Sequence, residues 1–142
     1  MKFVTRAYAL LNRLAEGLCP LFDLGLRLYI AQVFLRAGLL KISNWPSTLH
    51  LFDYIYHVPL LPPHCAAMLG TTAELVFPIL LALGLVGRFA AAGLFMTNSM
   101  ASISFPDISE LGLQDHYLWG MILLVLFFHG PGRWSLDTWR TH

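Results

Sequence analysis

Four apolar segments divide the chain, and each approaches the length of a membrane-spanning helix. They predict spans at about 22–42, 66–86, 89–105 and 112–129. A hydrocarbon core about 30 Å thick needs roughly 20 helical residues, and Pro106 and Gly130 end the last two segments. Helices with short returns also satisfy every backbone polar group in lipid. We therefore expect an all-α membrane protein, a four-transmembrane-helix antiparallel bundle forming a single domain over residues 1–142.

The first twenty residues have a different pattern, which predicts an N-terminal amphipathic helix lying at the membrane interface. Apolar residues recur there at helical spacing, and basic residues lie off that stripe. The apolar set is Phe3, Ala7, Leu10, Leu14 and Leu18, and the basic set is Lys2, Arg6 and Arg13. The alternative is that this stretch is an extended start to the first span.

The distribution of basic residues predicts the orientation. Lys2, Arg6 and Arg13 precede the first span, Arg88 separates the second from the third, and Arg133 and Arg140 follow the fourth. Loops 43–64 and 106–115 contain no lysine or arginine. The positive-inside rule therefore predicts a multi-pass protein of the inner (plasma) membrane with both termini in the cytoplasm.

Composition agrees with a membrane class and excludes nucleic acid as a partner. The chain is 57% hydrophobic and 12% charged, against about 25% charged residues in ordinary globular proteins. Its net charge of +1 includes no basic run that could neutralise phosphates. The two cysteines, Cys19 and Cys65, are predicted to lie at opposite sides of the membrane, too far apart for a disulfide.

Charges inside the predicted spans are the first candidates for function, because each costs about 2.5–3.5 kcal/mol unless it has a partner. We expect Asp23 to pair with Arg27, four residues later, and Glu74 to pair with Arg36 at similar depth. Lys41 is either an interfacial anchor or a ligand contact. The Glu74 pair could lock helices together or contact a ligand, and the sequence leaves both open.

Further candidates lie near the predicted outer side. Glu74, Arg36 and Lys41 would bind the polar part of a ligand, and a second set would shape the pocket: Asn98, Trp45 and Trp119. Four histidines could bind a metal there, although their spacing matches no metal motif: His50, His57, His64 and His116. A solvated, aromatic-rich loop is the competing interpretation of those histidines.

Several motifs resemble the DoxX family. FLRAGLLKISNW is similar to its first-span signature, and LFDYIYHVPLLPP to the outer loop of one branch. AELVFPILLALGLVGRFAA resembles its second span and turn, and GPGRWSLD its exit motif. The resemblance runs from about Arg27 to Asp137 and implies a four-helix inner-membrane protein. It implies function more loosely, because relatives include a membrane subunit of thiosulfate:quinone oxidoreductase, partners in oxidative-stress complexes and members of metal-handling operons.

The sequence therefore favours a redox-associated membrane subunit that interacts with the quinone pool and with membrane lipid. It contains no catalytic motif, so enzyme activity would belong to a quinone-linked oxidoreductase that includes a further membrane or periplasmic protein. No intrinsic cofactor is evident, quinone is the expected ligand, and a homo-oligomer is possible. The alternative is a non-enzymatic scaffold or copper-stress component that acts through its outer loop. A small channel is less well supported, because Glu74, Asn98, Thr71 and Gln32 are too few for a polar file.

Overall fold

The computed structural model describes residues 2–130 and 132–140, and over those ranges the chain is helical with no β-strand. The helices are α1 Lys2–Ser43, α2 Trp45–Tyr54, α3 Pro63–Leu83, α4 Gly87–Ser104, α5 Glu110–His129 and α6 Leu136–Arg140. Three helical segments are long and apolar enough to cross a membrane: Arg6–Ser43, Pro63–Leu83 and Glu110–His129. The all-α prediction is confirmed.

Helix α4 differs from those three because its second half is polar. Thr97, Asn98 and Ser99 follow one another, and Ser102 and Ser104 come soon after. Its 18 residues overlap the predicted third span, but their mean hydropathy is too low for α4 to count as a membrane-crossing helix. The four-span bundle therefore stays a prediction.

The N-terminal segment and the first predicted span form one continuous helix. Helix α1 has 42 residues and contains Pro20, so at 1.5 Å per residue it is about 63 Å long, twice the hydrocarbon thickness. A separate interfacial helix is not confirmed. Leu10 and Leu14 of the predicted apolar stripe are exposed, and the side chains of Lys2 and Phe3, which belong to the same pattern, lie outside the described residues.

One hydrophobic core joins α1, α3, α4 and α5. Its buried members come from all four helices: Ile30, Phe34, Leu81, Ala90, Ala91, Leu94, Leu123 and Leu126. Contacts between helix ends show that α1 and α3 run antiparallel. Gly38, near the end of α1, meets Leu75 in mid-α3, and Arg27, earlier in α1, lies against Gly84 at the end of α3. A smaller cluster of Phe52, Ala66 and Ala67 packs α2 against the start of α3.

The segment after α5 folds back and closes one end of the helices. Both carboxylate oxygens of Asp137 accept hydrogen bonds of 2.9 Å, from the backbone N–H groups of Val86 and Gly87. These N–H groups begin α4, where an anion is also favoured by the helix dipole. Gly84 has a φ of 68°, and a Cβ there would collide with Ser135, so glycine lets the C-terminal segment approach the turn.

Arg27 connects this closed end to α1. It is 1% exposed and donates to the backbone carbonyl of Trp134 at 2.6 Å. It also interacts electrostatically with Asp23 and Asp137. Asp23 therefore acts on Arg27 through its charge, while the predicted Asp23–Arg27 ion pair stays a prediction. Asp137 is a second carboxylate acting on Arg27, which the sequence did not suggest.

Replacing Asp137 by alanine should lower the free energy of unfolding by about 2–3 kcal/mol, because two charge-assisted hydrogen bonds are lost and Arg27 loses a counter-ion. The measurement is urea unfolding in detergent micelles, followed by tryptophan fluorescence. Asp107→Ala is the matched control, since Asp107 is exposed in the α4–α5 loop. Equal stability of the two variants would contradict this role.

Candidate functional site

A cavity of about 620 Å³ lies between α3, α4 and the segment that follows α2. Its walls are mostly apolar and include Phe52, Val58, Leu69, Phe77, Met96 and Met100. Its polar groups come from four parts of the chain: Lys41 of α1, Tyr56 after α2, Thr72 and Glu74 of α3, and Thr97 and Ser104 of α4. This combination of apolar wall and few polar groups is typical of small-molecule sites.

The ion pair between Lys41 and Glu74 forms one wall of the cavity. Lys41 Nζ donates to Glu74 Oε1 and Oε2, each at 2.5 Å. The side chains are 20% and 7% exposed, respectively. Such a pair is stable only when each charge compensates the desolvation of the other. The cavity therefore presents a hydrogen-bonded charge pair to whatever occupies it.

The predicted Glu74–Arg36 pair is wrong, and helix geometry explains why. Phe34, Gly38 and Lys41 are spaced i, i+4, i+7 and so share the face of α1 that meets the other helices. Arg36 falls off that face, is exposed, and forms no ion pair with any residue in the described part of the chain. Lys41 consequently turns inward to Glu74 and does not extend as an interfacial anchor.

Two features hold Lys41 in place. A Cβ on Gly38 would lie 3.0 Å from the Leu75 side chain and 3.2 Å from the Glu74 carbonyl carbon, so glycine allows α1 to approach α3 closely at this point. One turn later, the Lys41 carbonyl accepts a hydrogen bond of 2.9 Å from Thr48 Oγ1 of α2. The end of α1 is therefore attached to both α2 and α3.

Tyr56 and Ser104 add hydroxyl groups to the cavity wall. Burial raises the pKa of the Tyr56 phenol, and the negative charge of Glu74 raises it further. The phenol is therefore a neutral hydrogen-bond donor at physiological pH. The Ser104 hydroxyl is buried and has no hydrogen-bond partner among the described residues. Its backbone carbonyl accepts a hydrogen bond from the His57 N–H at 2.8 Å.

Four of the predicted ligand-binding residues lie away from the cavity. Asn98 donates to the His116 carbonyl at 2.8 Å, and its Oδ1 lies 2.7 Å from His116 Nδ1, so it links α4 to α5. Trp119 packs edge-on against Phe34 and His116. Trp45 packs against the smaller hydrophobic cluster, and Arg36 is exposed. Only Glu74 and Lys41 of that predicted set are brought together.

The four outer histidines are held separately. His50 packs on the Tyr54 ring, His57 Nδ1 lies 2.9 Å from the Ile55 carbonyl oxygen, and His116 contacts Asn98. His64 Nε2 lies 3.6 Å from Asp53 Oδ2 in an exposed pair. None of the four belongs to a group of three possible metal ligands among the described residues. Metal binding by these histidines stays a prediction.

Sequence reasoning missed two features of the structure. The first is the position of Gly93, Thr97 and Ala101, which are spaced four residues apart on α4: all three line the cavity, and a Cβ on Gly93 would collide with the Phe77 ring. The second missed feature is a group of Cys19, Asp23 and His129 at the other end of the helices. The four-residue spacing of Cys19 and Asp23 could have indicated a shared helix face, but nothing in the sequence linked them to His129.

The apolar helices and their shared core define a helical membrane protein. The DoxX family model matches residues 22–107, more than half of the chain, and the protein belongs to this family of membrane proteins. An uncharacterised protein of Haemophilus influenzae is similar, with 30% identity over 121 residues that cover 80% of this chain and 79% of the relative. No solved structure matches the chain.

Breaking the Lys41–Glu74 pair should destabilise the protein more than removing both charges. Lys41→Met and Glu74→Leu leave one buried charge each, and we expect losses of about 3 kcal/mol. The double variant should be more stable than the sum of the single losses implies, with a coupling energy above about 1 kcal/mol. The measurement is the free energy of unfolding in detergent of the wild-type protein, the two single variants and the double variant, which together form a double-mutant cycle.

The exposed pair His64–Asp53 supplies the control cycle, in which His64→Ala and Asp53→Ala should show negligible coupling. Additive losses at Lys41 and Glu74 would show that the two charges do not depend on each other.

Proposed function

We propose that this DoxX protein is a redox-associated membrane subunit that binds a quinone from the membrane pool in the cavity between α3 and α4. The observation that carries the proposal is the buried Lys41–Glu74 pair in the wall of an otherwise apolar cavity. A quinone has an apolar ring, two carbonyl acceptors and a hydrocarbon tail, and the cavity offers a matching surface for each. Its volume also falls within the range of roughly 300–1,000 Å³ for small-molecule sites.

Different polar groups of the cavity bind the two carbonyls of the quinone ring. Lys41 donates to one quinone carbonyl while keeping a hydrogen bond to Glu74, since an ammonium group has three N–H donors. The neutral Tyr56 phenol or the unpartnered Ser104 hydroxyl donates to the other carbonyl. Glu74 holds Lys41 in position and keeps it charged. The apolar side chains of Leu69, Met96 and Met100 contact the ring and tail.

In this proposal the chain binds quinone, and a membrane or periplasmic partner protein delivers the electrons. The four long helices cross the inner membrane, with the polar half of α4 shielded by its neighbours. Both termini are cytoplasmic, so the cavity opens in the outer half of the bilayer. Support comes from the core shared by the four helices and from the basic residues near the termini and Arg88. The N-terminal part of α1 lies along or beyond the inner surface.

The test is equilibrium binding of a short-chain ubiquinone analogue to the purified protein in nanodiscs. Glu74→Gln keeps the shape but removes the charge that orients Lys41, so affinity should fall at least tenfold. Ala101→Phe fills the cavity without touching the ion pair and should also abolish most binding. Trp119→Phe and Ile103→Phe are the matched controls, because neither residue lines the cavity.

Retained affinity in both Glu74→Gln and Ala101→Phe would remove the proposal. Using two variants keeps the test valid if Glu74→Gln is poorly folded, since Ala101 takes no part in the charge pair. Size-exclusion chromatography and circular dichroism of each variant identify folding defects. Equal loss in Ile103→Phe would assign the effect to α4 packing and would also count against the cavity as the site.

A further inference from the structure

Three side chains with metal-binding chemistry meet at the end of the helices opposite the quinone cavity. They are the Cys19 thiol and the Asp23 carboxylate of α1 and the His129 imidazole of α5. One ligand atom of each lies within 4.8 Å of the corresponding atoms of the other two. Because Cys19 and His129 are far apart in sequence, folding alone brings them together.

These three residues line a cavity of about 350 Å³, together with the exposed Glu16. Glu16, Cys19 and Asp23 are spaced i, i+3, i+7 and therefore share one face of α1. Asp23 is 6% exposed and Cys19 half-buried, whereas His129 is exposed. The cluster is thus reachable from solvent on one side and enclosed by the helices on the other.

We propose that Cys19, Asp23 and His129 form a binding site for a divalent metal ion of the zinc type. Thiolate, imidazole and carboxylate are the ligands that Zn²⁺ uses, and three protein ligands leave a fourth position for water or another ligand. Zn–S and Zn–N bonds of about 2.3 and 2.0 Å place ligand atoms of a tetrahedral site roughly 3.5 Å apart. Since the present separations do not exceed 4.8 Å, the longest of them has to shorten by at most about 1.3 Å to reach this geometry.

The surrounding charges are compatible with a cation. A bound Cys19 thiolate and Asp23 contribute two negative charges, and Glu16 adds a third at the rim. Arg133 also lines the cavity, and Arg27 interacts with Asp23. Arg27, however, also interacts with Asp137 and donates to Trp134, so it does not depend on Asp23 alone. In the proposed site the Asp23 carboxylate interacts with both the metal and Arg27, whereas the Cys19 thiolate and the His129 imidazole bind the metal alone.

This site is separate from the proposed quinone site. Asp23 and Lys41 are eighteen residues apart on α1, which corresponds to about 27 Å along the helix axis. The two proposals therefore fail independently, since changes at Cys19 or His129 leave the Lys41–Glu74 cavity intact.

The experiment uses Co²⁺ as a spectroscopic substitute for Zn²⁺ with the full chain in detergent. One equivalent of Co²⁺ should produce a thiolate-to-cobalt charge-transfer absorption, and stoichiometric Zn²⁺ should abolish it. Cys19→Ser should remove this absorption, and His129→Ala should weaken Co²⁺ binding at least tenfold. Cys65→Ser and His64→Ala are the matched controls, because both residues lie at the start of α3, away from the cluster.

Absence of the charge-transfer absorption in the wild-type protein would overturn the proposal. Its loss in Cys65→Ser but not in Cys19→Ser would do the same, since the metal would then be bound elsewhere. Cys19 is only half-buried and His129 is exposed, so both variants should keep wild-type circular dichroism, which is measured alongside.

Discussion

Burying the charges of Lys41 and Glu74 in apolar surroundings costs several kcal/mol for each ion unless the two remain hydrogen-bonded. That requirement determines how this half of the molecule packs. Helix α1 must approach α3 closely, which Gly38 permits, and α2 must dock on the end of α1, which the Thr48 hydrogen bond fixes. The cavity between α3 and α4 then has a charged wall that is held rigidly by three helices.

At the opposite end of the helices a different set of groups compensates a buried charge. There the buried charge is Arg27, which is shared by the Trp134 carbonyl and two carboxylates. Asp137 also caps the start of α4. Charge pairing thus attaches α1 to α3 at one end and to the C-terminal segment at the other, about 20 Å apart along α1. Between these two attachments lie the apolar core shared by the four helices and the hydrogen bonds that join the buried Asn98 to His116.

How far the sequence predicts this arrangement depends on whether a feature is local or tertiary. Helix positions follow from runs of apolar residues and from prolines and glycines, so the main helices were predictable. The four-residue spacing of Asp23 and Arg27 also indicated that the two charges lie on one face of α1. The partner of Glu74 was not predictable, because the depth of a residue in the membrane does not determine which side of the helix its side chain lies on. Arg36 and Lys41 differ in rotation about α1, and only the packing at Gly38 selects Lys41. The Cys19, Asp23 and His129 group likewise needs the fold that joins α1 to α5.

The quinone proposal depends on a ligand occupying the cavity beside Lys41 and Glu74. The most direct measurement is photolabelling of the protein in native membranes with an azidoquinone, followed by mass spectrometry of the labelled peptides. Binding in this cavity should place label around Tyr56 and on the stretch of α4 that contains Met96 and Met100, and excess unlabelled quinone should reduce that label. Label that is confined to α5 around Trp119, or that unlabelled quinone does not displace, would contradict it.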